Sequence, residues 1–219
     1  MSGAEIVAEL LLAPPDRPDR SCFEFFKDEP FRWTSGTIHP VYTDNRLLQS
    51  MPTARDIITD YMADEIVAAE ITPEGLAAVF SSAIFHTDGL ARMLGLPMVT
   101  ARTEPKSHGT GKFIEGIIDP GLNYLVIEDL FSTGGSAIKA ANAVRQEGGI
   151  VTHALSIVTY GWPETYHRFK EANLIPISLT NFSTILRVAI KLGQVDEKMK
   201  AIIEDWQNNP MGWAKKHGF

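Results

Sequence analysis

The stretch Leu125-Val126-Ile127-Glu128-Asp129-Leu130-Phe131-Ser132-Thr133-Gly134-Gly135-Ser136 changes character twice along its length. The apolar residues predict the end of a buried strand, two adjacent carboxylates follow, and a hydroxyl-rich turn with paired glycines opens a helix. Backbone amides at the start of a helix are unpaired and carry partial positive charge, and glycines let a phosphate approach them closely. The stretch therefore predicts an anion site at the edge of an α/β fold.

The two carboxylates place a second requirement on the ligand. Acids beside a phosphate site are unfavourable if phosphate is the only group bound. They are explained by a ligand that also offers hydroxyl groups, or by a divalent metal. The alternative is a strand that ends in two solvated acids before a capped helix, but helix capping does not require two acids followed by paired glycines.

This combination resembles the signature for 5-phosphoribosyl 1-diphosphate (PRPP) in the type I phosphoribosyltransferases. Three further segments narrow the resemblance to the bacterial orotate phosphoribosyltransferases, over about residues 31 to 210. The basic segment that begins at Arg102 is the one that points to orotate. The three segments are Thr34-Ser35-Gly36 with Pro40-Val41-Tyr42-Thr43-Asp44-Asn45-Arg46, Arg102-Thr103-Glu104-Pro105-Lys106-Ser107-His108-Gly109, and Thr159-Tyr160-Gly161.

The resemblance implies that the acids and the turn hold PRPP. Glu128 and Asp129 would bind the ribose 2'- and 3'-hydroxyls. The amides of residues 132 to 136, with the neighbouring side-chain hydroxyls, would bind the 5'-phosphate. The PRPP-binding residues implied in this way are Glu128, Asp129, Leu130, Phe131, Ser132, Thr133, Gly134, Gly135, Ser136, Arg102, Lys106 and His108.

Residues 102 to 112 form a cationic stretch with almost no apolar residue. Such a stretch buries too little surface to be rigid, so it is expected to be a mobile loop. Its cations suit a diphosphate that gains charge as it leaves, and loop closure would exclude water. The resemblance implies that Lys106, Arg102, His108 and Asp129 are catalytic, and that the loop completes the neighbouring active site of a homodimer. A solvated basic loop is the alternative.

Three residues are predicted to bind orotate. Tyr42 would pack against the pyrimidine ring, and Ser132 and Tyr160 would lie near the polar edge of the base. Ordinary packing is the alternative for a strand tyrosine. The cofactor expected is Mg²⁺, carried by the diphosphate and the ribose hydroxyls without a direct protein ligand.

The chain departs from the family pattern in two places. Thr103 and Glu104 stand where relatives often have a second cation. The small diphosphate turn reads Phe80-Ser81-Ser82-Ala83-Ile84-Phe85. Alanine at position 83 replaces a glycine and would be strained if the backbone needed a positive φ there. These changes leave the PRPP prediction in place and bear on the rate and on the choice of base.

Composition limits the class of protein. The 219 residues carry a net charge of −7, which argues against a general nucleic-acid or anionic-membrane surface. Cys22 is the only cysteine, so neither an intrachain disulfide nor a cysteine metal cluster can form. No stretch approaches the roughly 18 apolar residues of a membrane span, and the N-terminus lacks a basic leader. We expect a cytoplasmic protein.

The pattern of elements predicts an α/β fold, a doubly wound and mainly parallel sheet flanked by helices, with a small N-terminal hood. We expect one phosphoribosyltransferase domain over residues 1–219, with a first helix and hood strands in 1–50, the core in 53–180 and C-terminal helices in 181–219. Thr53, with Asp56 three residues on, is expected to cap the second helix. Strands are expected at 22–26, 31–34, 41–43, 76–80, 98–101, 124–127, 150–160 and 175–179, and helices at 3–13, from 53, and at 85–94, 134–147, 163–173, 183–192 and 195–208.

The function predicted is transfer of the phosphoribosyl group of PRPP to orotate, giving orotidine 5'-monophosphate and diphosphate, a step of pyrimidine biosynthesis. One alternative is a phosphoribosyltransferase for another base. The other is a PRPP-sensing regulator without enzymatic activity, for which a basic surface or an added nucleic-acid-binding domain would be expected.

Overall fold

A computed structural model describes residues 1–27, 29–33, 36–104 and 113–219. Its strands are β1 (Phe23–Phe25), β2 (Phe31–Arg32), β3 (Ile38–His39), β4 (Val41–Thr43), β5 (Gly75–Val79), β6 (Met98–Ala101), β7 (Ile114–Glu115), β8 (Tyr124–Phe131), β9 (His153–Thr159) and β10 (Ile175–Asn181). Its helices are α1 (Gly3–Leu12), α2 (Pro52–Ala68), α3 (Ile84–Leu94), α4 (Gly135–Gln146), α5 (Pro163–Glu171), α6 (Phe182–Lys191), α7 (Glu197–Asn208) and α8 (Trp213–Lys216), with a 3-10 helix at Asn45–Ser50.

Six strands form the central sheet, in the order β10-β9-β8-β5-β6-β7. Every neighbouring pair is parallel except β6 with β7, which is antiparallel. Every residue of β5 is buried, as are the first residues of β8, and this matches a parallel sheet covered by helices on both faces. The predicted doubly wound α/β fold is confirmed.

The strand order reverses between β5 and β8. From β5 the chain proceeds outward to β6, whereas from β8 it proceeds the other way to β9 and β10. The pairing Ala78↔Ile127 places the carboxyl ends of β5 and β8 side by side. In open α/β sheets ligands bind at this kind of switch point, so the loops that follow β5 and β8 flank the expected site.

The N-terminal hood consists of two short antiparallel pairs. Strand β1 pairs with β4, and β2 pairs with β3. The strand β3 was not expected from the sequence. Each pair is too small to be stable alone, so the hood depends on packing against the rest of the chain.

Strand β8 is longer than predicted, because it continues through both acids to Phe131. The register Glu128↔Ser156 and Phe131↔Thr159 shows that the pairing with β9 continues past the acids to the last residue of β8. Carboxylates do not end a strand whose ladder is satisfied in this way. The prediction that the strand ends at Ile127 was therefore wrong, and the acids lie on the strand itself.

Helix α2 begins differently from the prediction. Its first residue is Pro52, and Met51 precedes it without a side-chain cap. The carboxylate of Asp16 accepts hydrogen bonds from the backbone N–H groups of Thr53, at 3.2 Å, and Ala54, at 2.9 Å. The acid that satisfies the helix end therefore comes from the segment after α1, and the predicted capping box at Thr53 was wrong.

Two peripheral elements, the edge strand β7 and the terminal helix α8, were also not expected from the sequence. Within the described ranges, no helix combines the length and the apolar character needed to cross a bilayer.

Candidate active site

Glu128 lies at the switch point and is almost completely buried, with 4% of its surface exposed. Its Oε1 accepts hydrogen bonds from the Ser82 hydroxyl at 3.1 Å and from the backbone N–H of Asp129 at 3.1 Å. Burial raises the pKa of the Glu128 carboxyl well above its ordinary value, and the charge of Asp129 raises it further. Hydrogen-bond donors from a ligand would favour the ionised form and so oppose this shift.

Asp129 is partly exposed beside this buried carboxyl. Its backbone carbonyl accepts a hydrogen bond from the Asn45 side-chain amide at 3.1 Å. This contact joins the 3-10 helix after the hood to the end of β8. The pair of acids therefore presents one buried and one accessible carboxyl on the same strand end.

The turn after β8 is held from behind by helix α5. The hydroxyl of Thr165 donates a short hydrogen bond to the carbonyl of Ser132, and Arg168 Nη1 donates to the carbonyl of Thr133 at 3.0 Å. These bonds direct the two carbonyls toward α5. The backbone amides of the turn can then face the opposite side, where a ligand would bind.

Gly134 is the residue before helix α4, and its backbone lies in the left-handed region at φ +73°. A Cβ at this position would meet the Phe169 ring at 2.6 Å. The position therefore requires glycine for both its conformation and its contact. Helix α4 has no side-chain cap, so its first amides are not satisfied by a capping residue. Uncapped amides at a helix start can bind a phosphate, so the turn is compatible with the 5'-phosphate site that the sequence predicts.

The turn after β5 meets β8 across the switch point through Ser82. The residue Ala83 has φ −91° and ψ −6°, an ordinary right-handed conformation. The strain anticipated for alanine at this position is therefore absent, because the backbone here does not need a positive φ.

Arg102 directly follows β6 and is engaged by two neighbours. Its Nε donates to the carboxylate of Glu115 at 2.8 Å, and its guanidinium lies 4.0 Å from the centre of the Phe80 ring. The Phe80 ring is 40% exposed and belongs to the predicted diphosphate turn. The structure therefore brings Arg102 next to that turn. The other predicted cations of the loop, Lys106 and His108, lie outside the described residues.

The predicted base-binding residues occupy different environments. Tyr42 is partly exposed on β4, near the Phe31 ring and the Arg46 guanidinium. Tyr160 is only 1% exposed, and its hydroxyl is hydrogen-bonded to Thr43 at 2.8 Å. Burial raises the pKa of Tyr160. A direct contact between the Tyr160 ring and a base would require this packing to rearrange. The predicted position of the Thr159-Tyr160-Gly161 turn near the polar edge of the base stays a prediction.

Two residues that hold the turn after β8, Thr165 and Arg168, were not identified from the sequence. They bond to backbone carbonyls of the motif, and no spacing pattern marks such contacts in advance. Ser82 and Asn45 lie in segments that the sequence analysis singles out, but their contacts with Glu128 and Asp129 were not predicted.

The part of the chain that the structure describes holds no group of three or more His, Cys, Asp or Glu side chains able to bind a metal ion. The available donors at the switch point are the carboxylates of Glu128 and Asp129. Mg²⁺ commonly uses one or two carboxylates together with substrate phosphates and water. The residues present therefore fit a Mg²⁺ ion that depends largely on the oxygens of a phosphorylated substrate.

Comparison with known proteins identifies close sequence relatives. The chain is 38% identical over 188 residues to the orotate phosphoribosyltransferase of Enterococcus faecalis, which covers 86% of this chain and 90% of that protein. It is likewise 38% identical over 187 residues to the orotate phosphoribosyltransferase of Bacillus caldolyticus, covering 85% of this chain and 90% of that one. No family model matches the chain.

Solved structures share the fold. The orotate phosphoribosyltransferase of Aeropyrum pernix superposes with a TM-score of 0.66 at 26% identity, covering 76% of this chain and 92% of that chain. The orotate phosphoribosyltransferase of Mycobacterium tuberculosis, solved in complex with PRPP, gives a TM-score of 0.62 at 20% identity, covering 84% of this chain and 99% of that chain.

Proposed function

The chain belongs to the orotate phosphoribosyltransferase family, whose members transfer the phosphoribosyl group of PRPP to orotate, and we propose how its own residues serve that reaction. The observation that carries the proposal is the position of Glu128 and Asp129 at the switch point, beside a turn whose amides precede an uncapped helix. The M. tuberculosis relative was solved with PRPP, which supports the same ligand here.

In the proposed complex the sugar phosphate lies across the end of β8. The 2'- and 3'-hydroxyls of the ribose donate to the carboxylates of Glu128 and Asp129, and the 5'-phosphate accepts from the amides of residues 132 to 136. Arg168 adds positive charge behind this turn, since its Nη2 lies 3.5 Å from the place that a Cβ on Gly135 would occupy. The sugar is thereby fixed at both ends.

Catalysis of this reaction depends mainly on stabilising the charges that develop in the transition state. As the bond to diphosphate breaks, positive charge develops on the ribose ring and negative charge on the leaving group. The acids stand on the side of the sugar, whereas Arg102 stands beside the turn that follows β5, and Lys106 and His108 are assigned to the leaving group by the resemblance. Bound Mg²⁺ would supply further charge neutralisation at the diphosphate. No protein nucleophile is needed, because N1 of orotate attacks the ribose directly.

We also propose that the functional unit is a homodimer in which the loop of residues 102–112 completes the neighbouring site. This follows from the family resemblance alone. Mixing two inactive variants tests it: Lys106→Ala on the loop and Asp129→Asn on the strand. If the loop acts in trans, hybrid dimers recover up to about a quarter of the wild-type activity, because half of the dimers are hybrids with one intact site each. If it acts in cis, mixing recovers no activity.

The function is tested by incubating the protein with PRPP, Mg²⁺ and one of orotate, uracil, adenine or xanthine. We expect loss of orotate together with release of diphosphate, and neither change when Mg²⁺ is removed by a chelator. Turnover of another base but not of orotate would reject the orotate assignment. Asp19→Asn is a matched control for the Asp129→Asn variant, because the ion pairs of Asp19 within the described ranges are with the exposed Arg17 and Arg20, and their loss should leave activity unchanged.

A further inference from the structure

The short segment from His39 to Thr43 carries Tyr42, the residue predicted to pack against the base. Both ends of this segment are fastened to distant parts of the chain. His39 Nδ1 accepts a hydrogen bond from the indole Nε1 of Trp206 on α7 at 2.8 Å. The Thr43 hydroxyl is hydrogen-bonded to the Tyr160 hydroxyl at 2.8 Å. The position of Tyr42 is therefore set by two contacts that lie outside the hood.

The His39 contact requires one protonation state. An indole N–H can only donate, so His39 Nδ1 must carry no proton. The other ring nitrogen, Nε2, then carries the proton and donates to the Thr37 hydroxyl at 2.7 Å. His39 is 1% exposed, and burial lowers its pKa to about 4, so the ring is neutral at ordinary assay pH. The imidazole thus acts as a fixed link between the hood and α7.

Helix α7 also holds the other side of the predicted base site. The side-chain amide of Gln207, adjacent to Trp206, donates to the Tyr160 carbonyl at 2.6 Å. The Trp206 ring packs edge-on against the Tyr160 ring, with centroids 5.4 Å apart, and against His39 at 5.9 Å. Consecutive residues of one helix therefore contact both the hood and the turn at the end of β9.

These contacts form a closed circuit. It runs from His39 along the hood to Thr43, across to Tyr160, and back to His39 through Gln207 and Trp206. The bond between Trp206 and His39 is fully buried and the other two are partly buried, so moving one member leaves another unsatisfied where water is largely excluded. The base would bind where this circuit faces the PRPP turn.

We propose that helix α7 is a positioning element for the base, with His39, Trp206 and Gln207 setting the distance between Tyr42 and the Tyr160 turn. None of these three side chains needs to contact the base. Their effect is on the affinity for the base and on the choice among bases. The inference rests on the proposed function, in which orotate lies between the hood and that turn.

The decisive variant is Trp206→Phe, which removes the indole N–H and leaves His39 Nδ1 without its donor. A lost buried hydrogen bond of this kind is expected to raise the KM for orotate about tenfold, while the KM for PRPP changes less than about twofold. Trp213→Phe is the matched control. Trp213 is equally buried, but in the part of the chain that the structure describes its Nε1 has no hydrogen-bond partner, so nothing comparable is lost.

Variants at two further positions, His39 and Gln207, guard against simple unfolding of the first. His39→Asn keeps an acceptor close to the position of Nδ1 and should retain a lower KM for orotate than His39→Leu. Gln207→Met breaks the second arm of the circuit at a partly exposed position and should also raise the KM for orotate selectively. The indole N–H proton resonance of Trp206, assigned by its loss in Trp206→Phe, reports directly on the hydrogen bond to His39.

Equal increases in the KM for orotate and for PRPP, or reduced thermal stability with unchanged kinetics, would assign the cluster a purely structural role and overturn the proposal. If the wild type turns over orotate and Trp206→Phe leaves its KM unchanged, the inference fails while the proposed function stands. If the wild type instead uses another base, the proposed function fails, and the same variants are judged on the KM for that base.

Discussion

Replacing Glu128 by glutamine is expected to stabilise the free protein and weaken its binding of PRPP. The carboxyl is 4% exposed, and burial with the neighbouring Asp129 charge raises its pKa well above 4.5. Among the residues that the structure describes, its Oε1 accepts hydrogen bonds from the Ser82 hydroxyl and the Asp129 amide. A glutamine Oε1 would accept both of these bonds, and its amide carries no charge to desolvate.

The pH dependence follows from the direction of the shift. Below pH 4.5 the carboxyl is protonated in both the folded and the unfolded chain. As the pH rises above that value, the unfolded chain releases the proton while the folded chain retains it. The free energy of unfolding of the wild type therefore falls relative to Glu128→Gln, by up to about 1.4 kcal/mol for each pH unit until the folded pKa is passed. The difference in stability between the two proteins therefore shifts in favour of Glu128→Gln as the pH rises from 5 to neutrality.

Ligand binding should change in the opposite direction. The substitution removes an anionic acceptor for the ribose hydroxyls, and hydrogen bonds to charged groups contribute about 1.5–3 kcal/mol each. The Kd for PRPP with Mg²⁺ should rise by about ten- to a hundredfold. Urea denaturation at several pH values from 5 to 8 measures the first effect, and titration calorimetry measures the second. Glu171→Gln, at an exposed ion pair on α5, controls for the change in net charge.

Parallel pH profiles of stability for the wild type and Glu128→Gln would show that the pKa of the Glu128 carboxyl is not raised in the folded protein. An unchanged Kd for PRPP would refute the assignment of Glu128 to the ribose. The two measurements are independent, so each part of the argument can fail alone.

Three further predictions concern the turn, the cation beside it and the loop. Gly134→Ala should destabilise the protein by about 1–3 kcal/mol in thermal or urea unfolding, because φ is +73° and the new Cβ would meet the Phe169 ring. Unchanged stability would contradict the described turn. Glu115→Gln should lower the inhibition constant for diphosphate severalfold, because the carboxylate competes with diphosphate for Arg102; a weaker inhibition would count against that competition. Lys106→Ala should lower kcat by a factor at least about ten times larger than the factor by which it raises the Kd for PRPP. The reason is that the lysine charge would stabilise the leaving diphosphate, which gains negative charge only in the transition state. Equal factors for kcat and Kd would reject that role.

The fold was largely accessible from the sequence because its local signals agree with its tertiary structure. Apolar runs such as those of β5 and β8 are buried on both faces, and glycine-rich or polar turns separate them from the helices. The misplaced end of β8 shows the limit of such signals. Whether two acids end a strand depends on the partner strand, and the partner β9 cannot be aligned from local sequence alone.

The site could be predicted from the sequence where its residues are consecutive in the chain. It could not be predicted where it depends on contacts between distant residues. The acids and the glycine turn are read directly from residues 128–136. The cap that Asp16 provides for α2 and the bond from Arg168 to the turn join segments far apart in the chain, and neither has a local signature. The burial of Tyr160 in an aromatic cluster likewise depends on rings from distant segments, so the sequence motif alone did not indicate it.

The most direct test of the account is a crystal structure of the protein with PRPP and Mg²⁺. We predict that the 5'-phosphate oxygens lie within hydrogen-bonding distance of the backbone nitrogens of residues 132–136, and that both ribose hydroxyls face the carboxylates of Glu128 and Asp129. A sugar phosphate bound elsewhere, or bound with its hydroxyls turned away from the two acids, would contradict the central claim.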